Sequence, residues 1–232
     1  ALRVDGWQQL DGQRRLVQGS GEVTATGYED RHELQLSPRL GVLHHLDDNL
    51  AVRGSVYRAF RAPTLNELYR SFQVGTVTTA ANAALRPEVL WGGELGPQVV
   101  VGTLVGRVTG FWNEISDPIF NATLATPTGD GAARMRQNLG QARVAGFELE
   151  TSWRPHAAWT ARIGYTYADA RVTEAPEHPD LIDRALAQDP RHRAVVNVAF
   201  DDPDIATVSV EVRYASRQFE DDLNLRPMDA YV

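Results

Sequence analysis

The feature that most constrains this chain is a two-residue period, sustained over stretches much longer than an ordinary strand. From Phe147 the odd positions read Phe147, Leu149, Thr151 and Trp153, with Glu148, Glu150, Ser152 and Arg154 between them. After a break at 155–158 the alternation resumes. Trp159, Ala161, Ile163, Tyr165 and Tyr167 stand on one side, and Thr160, Arg162, Gly164 and Thr166 on the other. At 207–215, Val208, Val210, Val212 and Tyr214 oppose Ser209, Glu211 and Arg213. Similar runs occupy 34–46 and 50–56, where Leu50, Val52 and Val56 oppose Arg53, Ser55 and Tyr57. Successive side chains of a strand point to opposite faces, so each run predicts a strand with one apolar and one charged face. Residues 136–154 read as one continuous strand, against a usual length of about 5–6 residues.

The connections alternate as well. Short ones lie at 46–49, 96–97, 155–158 and 201–205, and long ones at 11–31, 61–87, 117–135, 174–190 and 220–227. Strict alternation places every long loop at one end of an up-and-down sheet and every tight turn at the other. Transmembrane barrels have that layout, whereas an immunoglobulin-like sandwich mixes its connection lengths through Greek-key crossings. Trp153 and Trp159 flank one short turn. Tyr57, Phe60, Phe111, Trp112, Tyr167, Tyr214 and Phe219 lie near long-loop ends. Strands favour aromatics in general, but this clustering at strand ends predicts two interfacial girdles. The expected fold is all-β: part of an antiparallel up-and-down transmembrane barrel of nine or ten strands, the last only beginning at Asp229-Ala230-Tyr231-Val232. Residues 181–187 predict one or two helical turns within a loop.

Composition narrows the partners. The 232 residues carry 23 Lys and Arg against 30 Asp and Glu, a formal charge of −7. Nucleic-acid binding demands a positive footprint, so it is not expected. With 43% apolar residues the chain is outside the disordered class. It has no cysteine, which excludes disulfides, thiolate metal sites and a cysteine nucleophile. The longest apolar run, 99–105, already contains Gly102 and Thr103, far short of the about 20 residues of a membrane-spanning helix. A barrel strand needs only about 9–11. The chain opens on Ala1-Leu2-Arg3-Val4-Asp5, without an initiator Met, a basic n-region or an apolar h-region. It is expected to begin inside a longer protein.

At Phe60-Arg61-Ala62-Pro63-Thr64-Leu65-Asn66-Glu67-Leu68-Tyr69 the sequence resembles the TonB-dependent outer-membrane receptors. That family forms barrels of about 22 strands and takes up siderophores, cobalamin, haem or other scarce ligands. Ser37-Pro38-Arg39-Leu40-Gly41, Asp48-Asn49, Arg53-Gly54-Ser55-Val56-Tyr57-Arg58 and Leu85-Arg86-Pro87-Glu88 are similar to the same family. So are Phe111-Trp112-Asn113-Glu114-Ile115-Ser116-Asp117-Pro118-Ile119, Asn138-Leu139-Gly140, Ala145-Gly146-Phe147-Glu148-Leu149-Glu150 and Pro190-Arg191-His192-Arg193. The decapeptide also has a direct physical reading. Pro63 removes a ladder donor and ends a strand, Ala62 before it is pushed out of the helical region, and Thr64 can cap a turn over Leu65–Tyr69 with Glu67 as its partner three residues on. A compact hook is expected, without a ligand role.

The resemblance implies a plug domain, a TonB-contacting segment and further barrel strands outside this sequence, so 1–232 is expected to be part of a single barrel domain with plug and closing strands absent. It also implies partners: the TonB-ExbB-ExbD system acting through the plug, the plug itself, a small-molecule or metal-chelate ligand, and outer-membrane lipid. Inside the lumen, Arg39, Arg53, Glu148, Glu150, Arg162, Glu211 and Arg213 would form a polar wall facing the plug. In the loops, Arg61, Arg70, Arg134 and Arg136 are candidates for an anionic ligand. The acidic trio Glu220, Asp221 and Asp222 is a candidate for Ca²⁺, which takes oxygen ligands. Glu174, Glu177, Asp180, Asp183 and Asp189 make a second acidic loop, suited to a cationic or metal-chelate face.

No enzyme motif is visible: the sequence contains no G-x-S-x-G, H-E-x-x-H or P-loop. His32, His44, His45, His156, His178 and His192 share no ligand spacing. Glycines within strands more often mark bulges than phosphate sites. Neither catalysis nor a cofactor is expected. Two other classes fit the alternation: a passive porin or adhesin barrel, which lacks a plug, and a soluble secreted all-β binding domain, which would bury its apolar face between two sheets.

Overall fold

The computed structural model describes residues 1–17, 23–129 and 131–232. Residues 18–22 of the first long connection and Asp130 of the third lie outside the described residues. β1 (Leu2–Gln9) leads into a hairpin of β2 (Gln13–Val17) and β3 (Val23–Gly27). β4 (Arg31–His45) turns tightly into β5 (Leu50–Arg61). Helix α1 (Leu65–Tyr69), β6 (Phe72–Val74) and β7 (Val77–Ala80) follow. β8 (Glu88–Val101) and β9 (Leu104–Ser116) form the next tight pair, followed by β10 (Ile119–Thr123) and β11 (Arg134–Asn138). β12 (Gln141–His156) and β13 (Trp159–Glu174) precede a 3₁₀ turn at Pro179–Leu181. β14 (His192–Asp202), β15 (Ala206–Ala215), β16 (Gln218–Phe219) and β17 (Pro227–Met228) complete the chain.

Nine strands make one sheet in the order β1-β4-β5-β8-β9-β12-β13-β14-β15. All eight pairings are antiparallel. This is the expected meander, with tight turns at one end and every other element at the opposite end. An isolated antiparallel bridge, Ala215 to Tyr231, carries it on where the tenth strand was expected to begin.

The register sorts the side chains. Paired residues share a face, so Tyr167 goes with Phe147, Ile163 with Val196, and Val198 with Val210. This face is apolar, and its large side chains are largely uncovered: Leu40 is 65% exposed, Leu95 64% and Val210 61%. Leaving such residues in water forfeits about 25 cal/mol for each Å² of apolar surface, so the face requires a hydrocarbon environment. A soluble sandwich would have covered it with a second sheet.

Four sequence expectations are corrected. Gly96-Pro97 is not a turn: β8 runs on to Val101, and the turn is at Gly102, where φ is +57°. A Cβ on Gly96 would lie 1.8 Å from the Val108 carbonyl oxygen, and the β8–β9 ladder lapses between Leu95 and Gln98, so Pro97 needs no N–H there. Residues 136–154 are not one strand. The chain breaks at Leu139, whose N–H donates to the Pro118 carbonyl while its side chain is buried among loops. Residues 182–187 are not helical, because Asp183 and Leu186 donate their N–H groups to Val172 and Ala170 of β13. Tyr57 and Phe111 leave the girdle for the charged face, where their partners are Arg39 and Glu94, and Phe219 belongs to a loop hairpin.

The fully buried large side chains, Leu68, Leu85 and Leu181, all lie in the long connections. Two of these connections weave a second sheet of order β10-β11-β7-β6, with β7 and β11 parallel. Leu139, Val172, Ala175 and Leu181 form a cluster, with Phe120, Leu186 and Leu223 packed against it. The loop end therefore has a core of its own.

The hook forms as read. Thr64 caps α1, its hydroxyl accepting from the Glu67 N–H at 3.2 Å, while the Glu67 carboxylate accepts from the Thr64 N–H at 2.7 Å. Arg61 secures it. Its guanidinium donates to both Glu67 oxygens (3.0 and 2.9 Å) and, as a fork, to both Glu88 oxygens (2.7 and 2.8 Å). Glu88 Oε1 also accepts from the Ile119 N–H. One arginine thus joins β5, α1, β8 and β10. Burial by itself would raise the Glu67 pKa, but the Thr64 N–H, Arg61 and the Thr64 hydroxyl together hold it below the usual carboxylate value.

Two outcomes are expected in the full-length protein. Val198→Lys places a charge mid-strand on the apolar face and should cost about 2–4 kcal/mol of folding free energy in lipid. Asn197→Lys, one residue away on the other face, should cost little. Urea titration of the lipid-inserted protein checks this, and equal costs would count against a membrane-facing surface. Because the Glu67 pKa is depressed, its stabilisation is present above the ordinary carboxylate pKa and is lost as pH falls through its lowered value. Protection of the Leu68 and Arg70 amides, measured as exchange relative to the intrinsic rate at each pH, should therefore fall only in acid, and Glu67→Gln should remove that dependence.

Candidate functional site

The charged face is the first candidate surface. All seven residues expected on the lumen wall lie on it, as the register links them. Arg39 pairs with Tyr57, Arg53 with Gly96, Glu148 with Thr109 and Thr166, and Glu150 with Arg107. Arg162 pairs with Asn197, Asn197 with Glu211, and Val195 with Arg213. Strand spacing alone predicts this, because every second residue shares a face.

Their bonding is uneven. Glu150 accepts from Arg107 at 2.9 Å, and Arg107 also donates to Gln98 at 2.8 Å. Arg39 stands 3.8 Å from Glu94, which accepts from the Ser55 hydroxyl at 3.0 Å. Arg213 donates to Glu211 at 2.7 Å. Among the described residues, Glu148 and Arg162 take no hydrogen bond or ion pair, and Arg53 Nε is buried with no partner. Glu94, Arg107 and Asn113, which accepts from the Tyr57 hydroxyl at 2.9 Å, belong to the same wall. Sequence reasoning missed them, although Arg107, Thr109, Phe111 and Asn113 alternate with Val108 and Trp112.

The loop arginines do not converge. Arg61 is held by two carboxylates. Arg136 donates to the Asn66 and Arg70 carbonyls at 2.6 and 3.1 Å and lies over the Phe72 ring at 4.7 Å. Burial lowers its pKa, opposed by Glu67. These two bind the loops to one another. Arg70 is exposed and shares a shallow depression with Arg136. Arg134 lines a separate cavity of about 370 Å³, together with Phe120, Leu186, Glu220, Asp221 and Asp222.

The acidic trio is largely occupied by the fold. Asp221 is buried and accepts from the Leu225 and Arg226 N–H groups at 3.1 and 2.7 Å. Asp222 accepts from the Thr123 N–H and hydroxyl at 2.8 and 2.7 Å, clasping β10. Glu220 faces Arg226 at 3.9 Å. Among the described residues, no three acidic or imidazole side chains converge as a metal site. In the other acidic loop, burial raises the Asp189 pKa, against the pull of Arg193 at 3.3 Å.

Comparison with known proteins gives this arrangement a family. The profile described as "TonB dependent receptor-like, beta-barrel" matches residues 1–232. The "Iron-regulated outer membrane virulence protein" of Vibrio cholerae serotype O1 is 26% identical over 203 residues, covering 83% of this chain and 30% of the relative. The structure of "Copper transporter OprC" superposes with a TM-score of 0.72 at 19% identity, over 99% of this chain and 36% of that one. The ferric-catecholate import receptor Fiu from K12 E. coli gives 0.72 at 18% identity, over 99% and 34%. The chain thus spans about a third of the length of the relatives it matches. With nine strands in unbroken meander order and a profile match from end to end, the chain belongs to the TonB-dependent receptor family, as part of its outer-membrane β-barrel.

Proposed function

We propose that the protein containing this chain is an outer-membrane receptor for high-affinity, TonB-energised uptake of a scarce ligand, with 1–232 forming part of a single barrel wall. The observation that carries this reading is the two-faced nine-stranded sheet with its long connections gathered at one end. One face suits lipid, the other a polar filling, and the loop end is folded enough to present a binding surface. The relatives support the ligand class: their names speak of iron regulation, copper transport and ferric-catecholate import. A siderophore or other metal chelate is therefore the leading ligand. Binding and transport, not covalent catalysis, are the activity. A porin also lines its lumen with polar residues; what favours a receptor over a passive pore is the receptor-barrel profile matched from end to end.

In this reading the wall's spare hydrogen-bonding capacity is taken up by the plug. Arg53, Glu148 and Arg162 lack protein partners of their own. Glu148 and Arg162 are exposed on this face, and Arg53 Nε is buried without a partner among the described residues; a buried polar atom left unpaired is costly, so a polar domain filling the barrel is the natural complement. TonB, with ExbB and ExbD, would act on that plug. Arg70 and Arg134, free of ion pairs among the described residues, remain the loop cations that an anionic ligand could reach.

Deleting the gene should abolish growth on the cognate ferric chelate under iron limitation, as should loss of TonB. Normal TonB-independent growth would point to a passive pore instead. Glu148→Ala with Glu150→Ala in the full-length receptor should raise conductance through planar bilayers by loosening the plug. Unchanged conductance and uptake would remove these two residues from plug retention.

A further inference from the structure

The apolar face carries one band of charge. Tracing the register across five strands gives a single row: Arg58 of β5, Trp91 of β8, Glu114 of β9, Arg143 of β12 and Arg171 of β13. Asp169 sits two residues along β13 on the same face. Among the described residues, the further charges that the register sets on this face are Glu174, opposite Gln141 at the loop end, and Asp202, at the tight-turn end. The row lies at the loop end, just beyond the aromatic residues. Trp112, Phe147, Tyr165, Tyr167 and His192 form the belt beneath it, with ring centroids 5.3–6.1 Å apart among Phe147, Tyr165, Tyr167 and His192, and the Tyr165 hydroxyl 2.7 Å from His192 Nδ1. Aromatic belts sit at the level of the lipid headgroups. The row lies two residues beyond Trp112 and four beyond Phe147 and Tyr167, about 6–13 Å along the strands, which sets its cations on the outer, headgroup side of the belt.

The cations in this row are only partly neutralised. Arg143 makes no hydrogen bond or ion pair among the described residues; its guanidinium lies over the Trp112 ring at 4.9 Å. Arg171 and Arg191 converge on one carboxylate, Asp169, at 2.9 and 3.1 Å. Glu114, the cross-strand neighbour of Arg143, offsets one further charge without reaching ion-pair distance. With Arg58 and Glu174 included, four guanidinium groups stand against three carboxylates, so the band is positive in a chain whose net charge is −7. Arg58 is committed to the Leu36 carbonyl and Gln35, and Arg171 donates to the Asp183 carbonyl at 2.9 Å as well as to Asp169, so Arg143 is the guanidinium of the row left with no hydrogen-bonded partner among the described residues.

We propose that this patch is a docking site for the phosphate of an anionic glycolipid of the outer leaflet, with Arg143 as the principal contact and Arg171 and Arg191 beside it. The proposal rests on the reading that the long loops face outward from an outer membrane. A planar guanidinium takes a phosphate through two parallel hydrogen bonds, and stacking on Trp112 holds Arg143 flat for that purpose. The acyl chains would lie along the apolar face below, over Phe147 and Leu149.

The test uses the full-length receptor, with folding in lipid verified by heat-dependent gel mobility. Bisphosphorylated lipid A is titrated in detergent and followed by native mass spectrometry. Arg143→Gln should weaken binding by about tenfold, the loss expected for charge-assisted bonds. Arg143→Lys should recover part of it, and Arg154→Gln at the tight-turn end should bind as the unaltered receptor does. Dephosphorylated lipid A should bind as weakly to the unaltered receptor as lipid A does to Arg143→Gln. Undiminished binding by folded Arg143→Gln, or equal binding of the dephosphorylated lipid, overturns the proposal. Competition by inorganic phosphate at matched concentration also overturns it, since the patch would then be a site for soluble anions. A receptor that never folds in lipid overturns the membrane reading itself, and this proposal with it.

Discussion

Everything in this structure depends on the backbone ladder. A chain standing in hydrocarbon has no water to satisfy its N–H and C=O groups, so each strand must pair on both sides. The antiparallel meander does this with the simplest connectivity, each long strand bonding its sequence neighbours. Once the ladder is set, the two-residue period has no freedom left. A slip of one residue would turn Leu149 inward and Glu150 into lipid, so hydrophobicity enforces register along the whole sheet. Close contacts add local stops: a Cβ on Gly146 would meet the Tyr167 carbonyl oxygen at 1.9 Å.

The hydrophobic effect works here in two places and in opposite senses. In the sheet it drives side chains outward to lipid, leaving no interior core. In the loops it acts as in a soluble protein and buries Leu68, Leu85 and Leu181. The two regimes meet at the outer strand ends, where Arg61 ties the last rung of the β5–β8 ladder to the hook and to β10. Charge is used there as a rivet between elements, and the same holds for Arg136 and Asp222.

The faces were legible in the sequence because strand periodicity is a local property. Phe147 to Trp153 needs no partner to declare which side is apolar. The capping box was legible for the same reason, since Thr64 and Glu67 are three residues apart. What escaped was long-range. Gly96-Pro97 carries a turn signature, and only the neighbouring β9 reveals that the strand runs through it. Residues 136–138 read as continuous with β12, yet they belong to β11, which pairs with β10 and β7, whose sequence offers no sign of a shared sheet. The roles of Arg61 and Arg136 could not be read either, because an arginine near a loop looks the same whether it awaits an anion or already holds two carboxylates.

The parallel pairing of β7 and β11 bears on how such proteins diversify. Arg134 and Met135 face Thr79 and Ala80 across a gap of more than fifty residues, and Asn82 donates to the Arg136 carbonyl at 2.9 Å. Neither connection keeps its shape if the other is replaced. Recombination or loop grafting that exchanges one of them alone would strand half a sheet and expose its core. Selection for new ligands is therefore expected to act on the two as one inherited unit, with change concentrated at exposed side chains such as Arg70.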